Sequence, residues 1–189
     1  MKSINKINVA LLAFSLFFGI TAMAQKMEKT VEVGGAPMYP SKNIVENAVN
    51  SKDHTTLVAA VKTAGLVDVL MSEGPFTVFA PTNAAFDKLP AGTVETLLKP
   101  ENLKTLQTIL TYHVVAGKMN KSDILMTIKK GKGKAMMTTV SGGTLTVWMK
   151  GKDLYITDEN GNSSMITITD VNQKNGVIHV VDTVVLPKS

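Results

Sequence analysis

The 189-residue chain contains no cysteine. A domain built from it must hold together by packing alone, and thiol nucleophiles and thiolate metal sites are excluded. Arginine is also absent, all 20 basic residues being lysine. The planar fork that reads phosphates and carboxylates bidentately is therefore missing, which weighs against specific nucleic-acid binding. Long apolar runs are scarce: Val9 to Ile20 is uncharged but too short to span a bilayer, which takes about 20 apolar residues, and no second run of that length follows.

That one run has a purpose of its own. Lys2 and Lys6 precede it and Ala22-Met23-Ala24 follows with small residues at both cleavage-specifying positions, so residues 1–24 read as a secretory signal peptide processed before Gln25. With no cysteine beside that site, a lipoprotein anchor has no attachment point, and the expected destination is the periplasm or the medium. The remaining 165 residues fit one domain with a sizeable core. Its 18 lysines and 15 acids leave a net charge of only +3.

Residues 25–40, with Gly34-Gly35, Pro37 and Pro40, read as a flexible lead-in. Ser41 is placed to cap a helix carrying Ile44, Val45, Ala48 and Val49, and Asp53 or Thr55 to cap a second with Leu57, Val58, Val61 and Ala64, ended by Gly65. Leu66 to Met71 starts another turn. Further helical stripes follow at Val94, Leu97 and Leu98 and at Leu103, Leu106, Ile109 and Leu110, before Tyr112 to Val115 turns extended. From Ala135 on, short alternating runs are separated by Gly142-Gly143, Lys150-Gly151-Lys152 and Glu159-Asn160-Gly161, each a turn signal. The fold class is α+β, helices in the N-terminal half packed on an antiparallel C-terminal half.

Two stretches frame this body. In Gly74 to Phe86, GPFTVFAPTNAAF, Thr77, Val78 and Phe79 form a buried strand that Pro81 stops, and Thr82 or Asn83 caps a short helix facing Ala85, Phe86 and Leu89 inward. In Asn175 to Pro187, NGVIHVVDTVVLP, Asn175-Gly176 makes the turn and a strand alternates around Ile178 and Val180, with His179 and Asp182 its only ionisable groups.

Together with Tyr112-His113 in TYHVV between them, these stretches resemble the two signature segments and the central Tyr-His motif of the fasciclin domain, from about Ser41 to Pro187. The resemblance implies a single domain over residues 41–187, a wedge-shaped β-sandwich with helices around it. It also implies that Tyr112 and His113 serve both domain integrity and adhesion.

Other constellations are weak. His54, His113 and His179 show no metal-binding spacing, and His54 beside a helix cap is expected to be exposed. His113 reads first as a hydrogen-bonded structural histidine. Ser141, Ser163 and Ser164 lie in turns without a nucleophile elbow, so no catalytic residue, cofactor or metal is expected. Asp182 is expected to stay ionised by accepting hydrogen bonds at a strand end. Lys129, Lys130, Lys132 and Lys134 read as a solvated loop that discourages edge pairing, with attraction to an acidic polysaccharide or anionic lipid headgroup as the functional alternative. Met126, Met136, Met137, Met149 and Met165, near the sole tryptophan, Trp148, read as core filling. Asn120 to Leu125, containing Asp123 and Ile124, is similar to an integrin-recognition segment of animal fasciclin domains, interrupted by Ser122; a helix cap comes first.

The expected function is a secreted, non-catalytic adhesion or interaction module for a protein, matrix or cell-surface glycan partner. The alternative is a periplasmic carrier of a lipid-like or small apolar ligand, which needs a cavity of a few hundred Å3.

Overall fold

The structure, a computed structural model, describes residues 28–188; the expected signal segment lies outside them. The two framing stretches meet. Strands β3 (Phe76–Pro81) and β9 (Gly176–Val181) pair in parallel, Phe76 opposite Gly176 and Pro81 opposite Val181. Both are buried along nearly their whole length, so β9 is a continuous buried run and not the alternating strand expected around Ile178 and Val180, because it lies at the centre of the sheet with both faces covered.

They form the middle of a seven-stranded sheet in the order β4-β3-β9-β8-β7-β6-β5, with β4 Val114–Ala116, β5 Lys134–Thr138, β6 Thr144–Lys150, β7 Asp153–Thr157 and β8 Ser163–Gln173. All other pairings are antiparallel. The sheet curls until its two edges touch, through a bridge between Val115 and Thr139 and a 2.7 Å bond from Val140 N–H to Val114 O. The expected α+β sandwich takes the form of one strongly curled, nearly closed sheet.

One side of the sheet packs Leu145, Val147, Leu154 and Ile156 on Ile124 and Ile128 of helix α7 (Lys121–Lys130). The other packs Val78, Val114, Ile178 and Val180 on Ile44 of α1 (Ile44–Ala48) and on Val33 and Met38. Helices α2 (Thr55–Thr63), α3 (Val67–Met71), α4 (Asn83–Phe86), α5 (Thr93–Leu97) and α6 (Leu103–Tyr112) complete the body, Leu106 and Leu110 of α6 packing on Ala60 and Val61 of α2. Gly65 ends α2 at φ +68°, with Leu66 N–H reaching Val61 O at 3.1 Å.

Several local expectations need correction. The lead-in carries a hairpin, β1 (Val31–Val33) and β2 (Ala36–Met38), because Gly34-Gly35 supplies two positive-φ turn residues and Val33 and Met38 bury on the sheet. Asn43, not Ser41, caps α1: its Oδ1 accepts Glu46 N–H at 2.9 Å while Glu46 accepts Asn43 N–H at 2.8 Å. Neither Asp53 nor Thr55 caps α2. The segment read as a helix cap, Asn120 to Leu125, opens the ten-residue α7, which takes Lys129 and Lys130 out of the expected loop. Of the methionines, Met137 is core, but Met126, Met136 and Met149 are exposed.

Candidate contact site around Tyr112 and His113

Helix α6 ends at Tyr112, and its buried stripe carries both motif residues inward. The Tyr112 hydroxyl donates to Thr144 O at 2.7 Å and accepts Glu159 N–H at 3.2 Å. Burial pushes its pKa up to about 12; Glu159 N–H opposes this, and the Glu159 and Asp158 charges add to it. Gly143 packs so close to the ring that a Cβ there would lie 2.6 Å from Tyr112 Cε2.

His113 is fully enclosed. Val185 N–H donates to its Nε2 at 3.2 Å, so the proton sits on Nδ1, which donates to Ile109 O at 2.8 Å. Burial lowers its pKa to about 4, against smaller raising effects of Ile109 O and Asp158. Asp158, which the sequence reading passed over, completes the arrangement. Its carboxylate accepts Asn160 and Asn162 N–H at 2.9 Å each and Leu186 N–H at 3.0 Å. The signal was there: an acid opening an Asn-Gly turn commonly caps it. Helix end, turn and C-terminal segment are thereby strapped together, their polar atoms spent on one another.

The remaining candidates hold other joints. Asn83 Oδ1 accepts Thr56 N–H at 3.0 Å and its Nδ2 donates to Lys52 O at 2.8 Å, so it caps α2 from another segment, while Thr82 caps α4 through Ala85 N–H. Asn175 Oδ1 accepts Ile44 N–H at 3.0 Å and its Nδ2 donates to Leu70 O and Ser72 O at 2.8 Å each. Thr77 Oγ1 donates to Gly117 O and accepts Met119 N–H. Phe79 and Phe86 are core, Phe79 stacking on His179 with centroids 5.8 Å apart. His179 donates through Nε2 to Met119 O and accepts Asp170 N–H; burial, more than anything else, lowers its pKa. Burial alone would raise the Asp182 pKa, but Met165 N–H, Lys88 and Thr183 together hold it below the usual carboxylate value. Asp123 accepts Asn120 N–H at 2.9 Å in the first turn of α7, and Ile124 is core. Lys129, Lys130, Lys132 and Lys134 are exposed.

The three histidines are not brought together by shared partners. His54 is buried rather than exposed, tucked in by a 3-10 turn (Lys52–His54) with its Nδ1 2.9 Å from Ser51 Oγ. Its pKa is lowered, mainly by burial. That serine is itself 2% exposed, closed to any substrate. Among the described residues no group of three or more His, Asp and Glu side chains is arranged to hold a metal ion. An apolar pocket beneath α1, α2 and α3, lined by Val45, Leu57, Leu66, Leu70 and Phe76 among others, has a free volume of about 80 Å3.

A curled mixed sheet with this helical cover and a buried Tyr-His strap defines the fasciclin fold, and the fasciclin domain family model matches residues 52–187: the chain belongs to that family. It is 44% identical to Protein sll1483 of Synechocystis over 94% of this chain and 93% of that protein. It is 40% identical to the cell surface glycolipoprotein MPB83 of Mycobacterium bovis, over 65% of this chain and 48% of that one. A FAS1 domain pair from the insect cell adhesion molecule fasciclin I superposes with a TM-score of 0.68 at 17% identity, covering 85% of this chain and 58% of the other, a likeness of fold. No helix among the described residues is long and apolar enough to cross a membrane.

Proposed function

We propose that this chain is an exported, non-catalytic contact module that binds a protein, matrix or cell-surface glycan partner through its outer face. In this reading Tyr112 and His113 hold that face in place without touching the partner. The observation that carries the reading is their burial: Tyr112 is 0% and His113 3% exposed, and every side-chain polar atom of both is bonded inside the fold. Asp123 and Ile124 act likewise, as cap and core of α7.

Three further facts support it. The matching family model is that of the fasciclin domain, not of a catalytic family. A 40% identical relative is named a cell surface glycolipoprotein, in keeping with the export signal that residues 1–24 are expected to carry. The pocket, at about 80 Å3, is far below the roughly 300 Å3 at which small-molecule sites begin, which disfavours carriage of a lipid-like ligand.

The test is capture from the producing organism's envelope by the immobilised chain starting at Gln25. Recovery of one protein or surface glycan whose binding is saturable supports the reading. Recovery of a stoichiometric apolar small molecule, or turnover of a substrate, overturns it.

A further inference from the structure

The strands of the curled sheet run between two ends. At one, Thr144 and Glu159 hold the Tyr112 hydroxyl. At the other end of β6, about 20 Å away at the usual strand rise, lysines arrive from two separate segments. Lys129 and Lys130 close α7, Lys132 lies in the following turn and Lys134 opens β5, while Lys150 and Lys152 flank the turn between β6 and β7. The register sets Lys134 opposite Trp148, Trp148 opposite Tyr155, and Lys150 opposite Asp153. All six lysines are exposed, and the single ion pair among the described residues, Lys88 with Asp182, uses none of them.

Between and beside these charges stands apolar surface. Met136, two residues along β5 from Lys134 and on the same face, is 76% exposed. The rings of Trp148 and Tyr155 stack 5.0 Å apart on that outward face. Helix α7 leaves it open, since Ile124 and Ile128 pack with Ala135, Met137, Leu145 and Val147, the residues that point the other way.

Trp148 Nε1–H is already engaged, donating to Thr157 Oγ1 at 2.8 Å, and Thr157 shares a 2.8 Å bond with Ser163. What this end offers outward is ammonium charge beside exposed apolar carbon and sulfur. Lysine suits a diffuse negative layer, as a mobile point charge whose stem lies along apolar surface. We infer that this end of the sheet docks on an anionic lipid surface, lysines among the headgroups and Met136 and Trp148 entering the acyl boundary. Because it lies at the opposite end from Tyr112, this binding goes beyond the partner contact proposed above and does not depend on it.

The experiment is co-sedimentation of the chain starting at Gln25, which contains every described residue but not the apolar run Val9 to Ile20. Vesicles of phosphatidylcholine with phosphatidylglycerol are compared with phosphatidylcholine alone. Binding is expected only to the anionic vesicles and is expected to weaken with salt. Each neutralised lysine should cost roughly fivefold, so changing Lys129, Lys130, Lys132, Lys134, Lys150 and Lys152 to glutamine should cost more than about a hundredfold. The charge-matched variant at Lys29, Lys52, Lys62, Lys99, Lys104 and Lys174, also exposed, should lose much less, and Met136→Gln should weaken binding with the charge intact. Melting curves confirm that the variants stay folded. Equal losses in the two lysine variants, equal binding to neutral vesicles, an unaffected methionine variant, or retention on alginate without vesicle binding would each overturn the inference.

Discussion

Val185 N–H donates to His113 Nε2 at 3.2 Å, joining residues 72 apart in sequence. This bond needs a neutral imidazole, because a proton on Nε2 would face the amide hydrogen. His113 has a pKa of about 4 in the folded chain against 6.5 unperturbed. Between those values the unfolded chain binds a proton that the folded chain does not. Stability is therefore complete above about pH 6.5 and is lost as the pH falls toward 4, by as much as ~3 kcal/mol from this residue. The lowered pKa values of His54 and His179 act in the same direction. Urea midpoints should fall between about pH 7 and pH 4, with a shallower slope for His113→Gln. A flat profile would contradict a buried neutral histidine.

Asn83 gives the second prediction. Its side chain is the cap that α2 lacks locally, and Asn83→Ala strands Thr56 N–H and Lys52 O together. The loss should be about 1–2 kcal/mol, read as a lower urea midpoint with an unchanged denaturant slope. Thr82→Ala, which removes only the cap of the four-residue α4, should cost less.

Asn175 should be the more severe site. Three side-chain bonds tie it to the start of α1 and the end of α3, and it is 4% exposed. Asn175→Ala leaves Ile44 N–H and the carbonyls of Leu70 and Ser72 to find other partners, at a cost of at least about 2 kcal/mol. Equilibrium unfolding measures it; a cost below that of Asn83→Ala would contradict the ranking.

Gly143→Ala tests the Tyr112 strap without touching it. The new methyl meets a buried ring that has no free space to retreat into, so a destabilisation of about 1–3 kcal/mol is expected. In Gly143→Ala with Tyr112→Leu the two costs should be less than additive, because the clash is gone.

Much of this framework was legible from residue type alone. Val177 to Val181, His179 apart, and Thr77 to Phe79 are apolar or β-branched because both faces are buried, whereas their parallel pairing left no mark in residue type. What escaped was long-range polar chemistry. The partner of Asn83 lies 27 residues back and that of Asn175 lies 131 residues back, so neither has a local spacing to betray it. Asp158 drew no notice in the sequence because its partner Leu186 lies 28 residues further on. His54 misled because a polar residue next to a helix start is commonly exposed, and only the packing of its turn beside α4 and Ala80 of β3 shuts it in. Met136 misled in the opposite sense, since alternation along β5 places it on the face that no helix covers.

The central claim is that Tyr112 and His113 shape the contact face without forming it. The direct measurement compares affinity for the captured envelope partner with the folded fraction, for wild type, Tyr112→Phe and His113→Gln, at a temperature where circular dichroism shows each fully folded. The account expects unchanged affinity under those conditions and binding lost only as each variant melts. A folded Tyr112→Phe protein that has lost affinity by tenfold or more, about 1.4 kcal/mol, would put the phenol in the interface and contradict it.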